Sequence, residues 1–152
     1  MSALVRDARP PGIVVRVLNP LTRALLGSRA GRRMTNVALI EFNGRRSGRQ
    51  YRIPVGWHHA EGTSFVLTPA SWRANFVGGR SATVHHGGQV QPMVGTLVTD
   101  AAEVADAVQA VLDNGTPGRL LGLRIPTGHR VLPADIAAVD RAIIRFEGSG
   151  IA

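Results

Sequence analysis

Short apolar runs, separated by glycine, proline and polar residues, recur through the middle of the chain. Runs that are rich in β-branched and aromatic residues and bounded by turn residues are typical of β-strands. The candidate strands are residues 37–42, 51–58, 64–68, 82–86, 89–98 and 142–146. Their density predicts a mainly β (α+β) domain with about six antiparallel strands.

Two local signals refine the predicted sheet. Residues 86–89 (HGGQ) predict a two-residue β-hairpin, because paired glycines suit the positive φ angles of such turns. Pro54 lacks the N–H that a central strand would donate, so its strand is expected at a sheet edge or at a bulge. Gly56, two residues further on, strengthens this expectation.

Residues 100–114 carry the clearest helical pattern. Asp100 and Glu103 have the spacing of a capping box, in which each residue satisfies a backbone N–H of the first turn. The apolar positions Val104, Val108, Val111 and Leu112 share one face of the predicted helix. Shorter helical patterns are expected at residues 19–26, at residues 71–76 and from Pro133 onward.

Length and composition predict one domain over residues 1–152. The chain of 152 residues is long enough for its own core, and 44% of its residues are hydrophobic. Residues 1–18, which include Pro10 and Pro11, are expected to form a mobile or loosely packed arm. The absence of cysteine excludes disulfides and thiol nucleophiles and fits a cytoplasmic protein. No apolar run approaches the ~20 residues that span a bilayer.

The positive charge of the chain lies in its first half. All 18 basic residues are arginines, and the formal net charge is +8. Residues 1–80 hold 13 arginines against three acidic residues, whereas residues 81–152 hold five arginines against seven acidic residues. Such a field attracts an acidic small molecule, a nucleic acid or an anionic membrane.

The candidate chemistry centres on residues 44–49 (GRRSGR), which lie between two candidate strands. Arginine presents a fork of donors that matches phosphate or carboxylate. Glycine lets backbone N–H groups approach an anion closely. The segment therefore predicts an anion-binding turn, and a solvated hairpin whose arginines only aid solubility is the alternative.

The order of several motifs resembles the deazaflavin-dependent nitroreductase family of actinobacteria. The resemblance covers roughly residues 19–100. Its motifs are the 44–49 turn, Pro54-Val55-Gly56, Trp72, Asn75-Phe76 and Gly78-Gly79. Members of the family are small split β-barrels that bind coenzyme F420, and they are distant relatives of the FMN-binding pyridoxamine-phosphate oxidases. Arg46 stands where the family usually has lysine.

The resemblance implies a split β-barrel with flanking helices and the activity of an oxidoreductase. The implied reaction transfers hydride from reduced coenzyme F420, or with FMN as the alternative cofactor, to a small hydrophobic acceptor that is quinone-like or nitro-like. The implied cofactor-binding residues are Arg45, Arg46, Ser47, Gly48, Arg49, Pro54, Val55, Gly56, Thr68, Ser71 and Trp72. The tyrosines that line the substrate pocket in similar nitroreductases are missing, since Tyr51 is the one tyrosine here, so the acceptor stays open.

Two histidine pairs invite other chemistry. His58 or His59 is a candidate proton donor beside the cofactor ring, because an unperturbed histidine titrates near neutral pH. Neighbouring residues of a strand point to opposite faces, so each pair, the second being His85-His86, supplies at most one ligand and no metal site is expected. Ser47 has no Gly-x-Ser-x-Gly context, which argues against a serine hydrolase.

The sequence leaves several alternatives open for the binding partners and the oligomeric state of the protein. A split barrel that binds a cofactor or a lipid without turnover would share the same sequence features. The arginine-edged helix at residues 19–26 gives a possible peripheral membrane contact. Nucleic acid is not expected, because aromatic residues make up only 5% of the chain and no nucleic-acid-binding signature is present. A monomer and a homodimer are both compatible with the sequence.

Overall fold

The computed structural model describes the backbone of residues 6–7 and the whole of residues 36–148. The strands are β1 (Arg6–Asp7), β2 (Val37–Asn43), β3 (Gln50–Gly56), β4 (His58–Ala60), β5 (Thr63–Thr68), β6 (Arg80–His86), β7 (Gln89–Val98), β8 (Leu123–Arg124) and β9 (Ala142–Gly148). The helices are α1 (Ala101–Asp113) and α2 (Pro133–Val139), with short 3-10 turns at Ser71–Phe76 and Gly118–Leu121. Within these residues, seven strands form one curled antiparallel sheet in the order β3-β2-β6-β7-β9-β5-β4.

The strand predicted over residues 51–58 is two strands in the structure, β3 and β4, which are separated at Trp57. These two strands form the opposite edges of the sheet. β3 pairs with β2 at one edge, whereas β4 pairs with β5 at the other. Trp57 stands between them and donates its backbone N–H to the carbonyl of Asn36 over 2.9 Å. Since both edges belong to one bent segment, the sheet curls into a half-barrel, which confirms the expected split-barrel architecture.

The half-barrel has an apolar interior layer and, beneath the helices, an apolar outer layer. On β2, Ala38, Ile40 and Phe42 point into the barrel and are at most 4% exposed. On β9, Ile144 joins this interior cluster, while its neighbour Ile143 packs on the outer side beneath the helices. Such alternation is what the two-residue period of a strand requires when both of its faces are covered.

α1 packs against β4 and β9 on the outer side of the sheet. The Asp100 carboxylate accepts the backbone N–H of Glu103 over 3.0 Å and caps the helix, which confirms the N-cap half of the predicted capping box. The valines Val104, Val108 and Val111 are at most 2% exposed and pack into the outer cluster. The predicted apolar face of this helix is therefore confirmed.

The predicted hairpin and edge strand are confirmed, whereas part of the predicted N-terminal arm is paired. The 86–89 hairpin is confirmed, with φ angles of 61° and 80° at Gly87 and Gly88, and β3 is an edge strand, as Pro54 predicts. Within the predicted arm, residues 6–7 are not free, because β1 pairs with β8. The rest of that arm and the helix expected at residues 19–26 lie outside the described residues.

Candidate functional site

Residues 44–49, here called the arginine turn, join β2 to β3 in a tightly bonded loop. The N–H of Gly44 donates to the Arg49 carbonyl over 2.8 Å, and the N–H of Gly48 donates to the Gly44 carbonyl over 3.0 Å. Gly48 has a φ of 70°, a conformation that glycine adopts without steric cost. Ser47 Oγ accepts the Arg49 N–H over 3.1 Å. The serine hydroxyl, predicted to bind an anion, thus also braces the turn itself.

The arginine turn rests on the 3-10 turn at Ser71–Phe76 and on the loop that follows it. The backbone N–H of Arg45 donates to Asn75 Oδ1 over 2.9 Å. Nη2 of Arg45 donates to the carbonyls of Val77 and Gly79, the latter over 3.3 Å. Nδ2 of Asn75 donates to the Trp72 carbonyl over 2.8 Å. Two motifs that the sequence separates by about 30 residues are therefore in direct contact.

Four aromatic side chains lie beneath this contact and are called here the aromatic end of the barrel: Phe42, Tyr51, Trp72 and Phe76. Phe42 stacks on Tyr51 with ring centroids 5.2 Å apart, and it meets Trp72 at 5.9 Å. Nε1 of Trp72 is buried and has no hydrogen-bond partner among the described residues. An indole N–H in that situation is an unsatisfied donor.

The guanidinium groups of the site differ in how they are engaged. Arg46 and Arg49 are exposed, and no carboxylate of residues 36–148 pairs with either of them. Arg80 donates from Nε to the carbonyl of Asn43 over 2.9 Å, which places it beside the first residue of the arginine turn. The site thus has two cations available for an anion and a third, Arg80, that sequence reasoning missed.

Arg80 was missed because its position depends on strand pairing. On β6 it shares one face with Ala82 and Val84, which point into the barrel, so Arg80 lies on the inner side at the barrel mouth. β6 pairs with β2 in antiparallel register, and this brings the start of β6 to the end of β2. The sequence carries no local signal for that juxtaposition.

The 3-10 turn also holds the end of β5. Thr68 is buried, and its Oγ1 accepts the N–H of Ala70 over 3.0 Å. Arg73 donates to the carbonyls of Thr68 and Asp140 and to Asp140 Oδ1, each over 3.2 Å. Ser71 is exposed at the start of the turn. Of the predicted pair, Thr68 therefore stabilises the local backbone, while Ser71 is the one that is accessible.

The predicted Pro54-Val55-Gly56 segment lies on the free edge of the sheet. β3 pairs with β2 alone among the described strands, so its other edge is unpaired. Val55 packs against the interior cluster that includes Trp72. Gly56 faces the outer side, where an added Cβ would come within 3.2 Å of His58 Nε2. The backbone of this segment is available on the open side of the half-barrel.

The two candidate proton donors lie away from the aromatic end. His58 is 5% exposed and packs beside Phe65 in the outer layer, with ring centroids 5.6 Å apart. Burial lowers the pKa of His58 to about 4, so the ring is neutral at neutral pH. His59 is exposed, and its Nδ1 lies 2.9 Å from Ser64 Oγ. Neither histidine contacts the arginine turn.

In residues 36–148 no three histidine, cysteine or acidic side chains come together as a metal site would require. Across the same part of the chain, no helix has the length and apolar character needed to cross a bilayer. The features that point to a ligand are thus the arginine turn, Arg80 and the aromatic end.

Comparison with known proteins gives matches at the level of structure. No protein-family model and no curated protein matches the chain. A solved structure described as a domain-swapped dimer is 15% identical, with a TM-score of 0.51, and the match covers 84% of this chain and 95% of that one. At this identity the likeness supports the half-barrel fold and nothing finer.

Two further solved structures match less well. One is the protein Atu2129 from Agrobacterium tumefaciens, described as of unknown function, with 12% identity, a TM-score of 0.47, and coverage of 93% of this chain and 60% of that one. The other is the conserved hypothetical protein Rv2991 from Mycobacterium tuberculosis, with 12% identity, a TM-score of 0.48, and coverage of 90% and 84%.

Proposed function

We propose that this protein is an oxidoreductase that binds the deazaflavin coenzyme F420 and transfers hydride from its reduced form to a small hydrophobic, quinone-like or nitro-like acceptor. One observation carries the proposal: the arginine turn contacts the 3-10 turn that bears Trp72, through Arg45 and Asn75. This contact puts a cationic rim beside an aromatic surface. A ligand with a planar ring and anionic substituents matches both parts of such a site.

The donors of the site fit the chemistry of this coenzyme, which carries a phosphodiester and an acidic polyglutamate tail. Arg46 and Arg49 have guanidinium groups free of carboxylate partners among residues 36–148, and they would hold these anions. The free edge of β3 at Val55 and Gly56 would lie along the ring. The buried Trp72 N–H has no partner among the described residues, and a ligand oxygen that reached it would satisfy this donor. The coenzyme supplies the hydride chemistry, and the protein binds, orients and shields it from water.

The charge of the site favours the deazaflavin over FMN. FMN has one phosphate and no acidic tail, so it would leave part of the rim of Arg46, Arg49 and Arg80 without a partner. We therefore expect coenzyme F420 to bind more tightly than FMN. Fluorescence titration of the purified protein with each cofactor measures this preference, and equal or tighter binding of FMN would contradict it.

A cofactor- or lipid-binding protein without turnover is the second candidate, and the position of His58 favours it. The imidazole packs in the outer layer beside Phe65, which removes one of the proton donors expected from the sequence. Multiple-turnover assays with reduced coenzyme F420 and a simple quinone separate the two candidates. Repeated oxidation of the coenzyme supports the enzyme, whereas tight binding without turnover supports the binding protein.

We propose in addition that the chain assembles as a homodimer. The support is the likeness to a solved structure described as a domain-swapped dimer. Sedimentation equilibrium of the purified protein gives the mass directly, and a single species of about 16.2 kDa would contradict the proposal. A cytoplasmic location and a peripheral membrane contact remain predictions from the sequence.

A further inference from the structure

The three arginines of the arginine turn are equivalent in sequence terms, yet the structure engages them differently. Nη2 of Arg45 is committed to the carbonyls of Val77 and Gly79. All three arginines are exposed and have no carboxylate partner in the described part of the chain, so the two carbonyl bonds are what distinguish Arg45. A side chain that is bonded to two backbone carbonyls acts first on the position of that backbone.

Asn75 completes the same connection from the other side. Its Oδ1 accepts the Arg45 backbone N–H over 2.9 Å, and its Nδ2 donates to the Trp72 carbonyl over 2.8 Å. One neutral amide therefore joins the arginine turn to the turn that bears the indole. Because both of its polar atoms are used within the protein, Asn75 has no obvious role as a direct ligand of the cofactor.

We infer that Arg45 and Asn75 are positioning residues, which fix the arginine turn against the aromatic end so that Arg46 and Arg49 meet the ligand in one preformed geometry. The inference rests on the proposed function, since it assigns separate roles within that ligand site. Its physical basis is preorganisation: a turn that is already held in place loses less conformational freedom when the ligand binds. The role of Arg45 is thus geometric, and its charge is secondary.

Charge and geometry can be separated by matched lysine and alanine variants. Lysine keeps the charge but lacks the planar fork of arginine. We expect Arg45→Lys to weaken coenzyme F420 binding by about tenfold, since the shorter lysine side chain does not reach the point where Nη2 of Arg45 meets the two carbonyls. We expect the control Arg130→Lys to stay within about threefold of wild type, because Arg130 is an exposed arginine outside the ligand site. Asn75→Ala, which changes no charge, is expected to weaken binding by about tenfold as well.

The salt dependence of binding separates the ligand-facing arginines from the positioning residues. Affinity is measured by fluorescence titration at about 0.05 M and about 0.5 M salt, since screening acts on exposed charges. Arg46→Ala should bind more weakly and respond less steeply to salt. Arg45→Lys and Asn75→Ala should bind more weakly yet keep the wild-type salt response, because their ligand-facing arginines remain. Binding by both variants that equals wild type would overturn the inference.

Amide hydrogen exchange distinguishes a failure of this inference from a failure of the proposed function. If wild type does not bind coenzyme F420, the proposed function fails, but the Arg45 amide can still be followed. Faster exchange of that amide in Asn75→Ala and in Arg45→Lys, with wild-type exchange in Arg46→Ala, supports the positioning role. Unchanged exchange in both variants overturns it. Melting temperatures taken alongside identify any variant that fails to fold, in which case the other variant decides.

Discussion

The strongest quantitative prediction concerns the buried imidazole of His58 and the pH dependence of stability. His58 is 5% exposed, and burial lowers its pKa from 6.5 to about 4. The folded protein therefore holds this ring neutral, whereas the unfolded chain protonates it below pH 6.5. Because the unfolded state binds the extra proton, the free energy of unfolding falls as the pH drops from 6.5 towards 4 and levels off below that value.

The magnitude follows from the two pKa values. Each unit of difference is worth about 1.4 kcal/mol, so the full effect of His58 is about 3 kcal/mol at pH values below both. Between about pH 7.5 and about pH 5, the loss from this residue amounts to about 2 kcal/mol. A small domain has a total stability of about 5–15 kcal/mol, so such a loss is readily measured.

The assay compares wild type with His58→Gln and His59→Gln. Urea unfolding at about pH 7.5 and about pH 5 gives the free energy of unfolding for each protein. His58→Gln should lose about 2 kcal/mol less than wild type over this interval, since glutamine does not titrate. His59→Gln is the matched control, because His59 is the adjacent residue and is exposed. The other three histidines are the same in all three proteins and cancel in the comparison.

Direct titration of the ring provides the second readout. The imidazole Cε1–H resonance of His58 should titrate with a midpoint near pH 4, because burial lowers its pKa to about 4. A midpoint for His58 near 6.5, or an identical pH dependence of stability in wild type and His58→Gln, would refute the argument. Either result would mean that water reaches the ring beside Phe65 and that the outer layer is open there.

Three further predictions concern the barrel and its helices. Gly95→Ala should lower the free energy of unfolding by about 1–3 kcal/mol, because the new Cβ would lie 2.7–2.9 Å from Phe76, Phe146 and Ile144. The control is Gly148→Ala, whose new Cβ would have no neighbour within 4 Å. Urea unfolding measures both variants. Asp100→Ala should cost about 1 kcal/mol through loss of the α1 cap, whereas Asp106→Ala at an exposed site of the same helix should cost less. Burial raises the pKa of Asp135, but the hydrogen bonds with the Leu132 N–H and with His129 lower it by more, so the pKa lies below its ordinary value of 3.8. The stability that this carboxylate contributes is therefore present above pH 3.8 and is lost in stronger acid. In an acid titration, Asp135→Asn should lose less stability than wild type.

The sequence correctly predicted those features of the fold that are decided by the conformation and hydrogen bonding of a few neighbouring residues. The N-cap Asp100 placed the start of α1, because N-cap hydrogen bonding is decided within one turn. Pro54 placed β3 at an edge, because a missing N–H is excluded from a central ladder. The glycines of residues 86–89 placed a hairpin for the same kind of reason. In each case the residue type alone restricts the backbone.

The break at Trp57 could not be read in the same way. Residues 51–58 alternate well enough to form one strand, and nothing in their composition marks the point at which the segment leaves β2 and joins β5. That point depends on the curvature of the whole sheet. The environment of His58 follows from it, since one residue beyond the break the side chain faces the outer layer.

The roles within the arginine turn show where sequence reasoning stops. Composition identified residues 44–49 as a cationic turn, and it gave Arg45, Arg46 and Arg49 the same predicted task. The carbonyls that engage Arg45 belong to Val77 and Gly79, more than 30 positions away in the sequence, and Arg80 arrives through the pairing of β6 with β2. A guanidinium next to unpaired carbonyl oxygens donates hydrogen bonds to them, regardless of the ligand that the site binds. Tertiary packing therefore decides which of these arginines hold the backbone and which are available to a ligand. The charge that the site offers to a ligand is the charge of the available arginines.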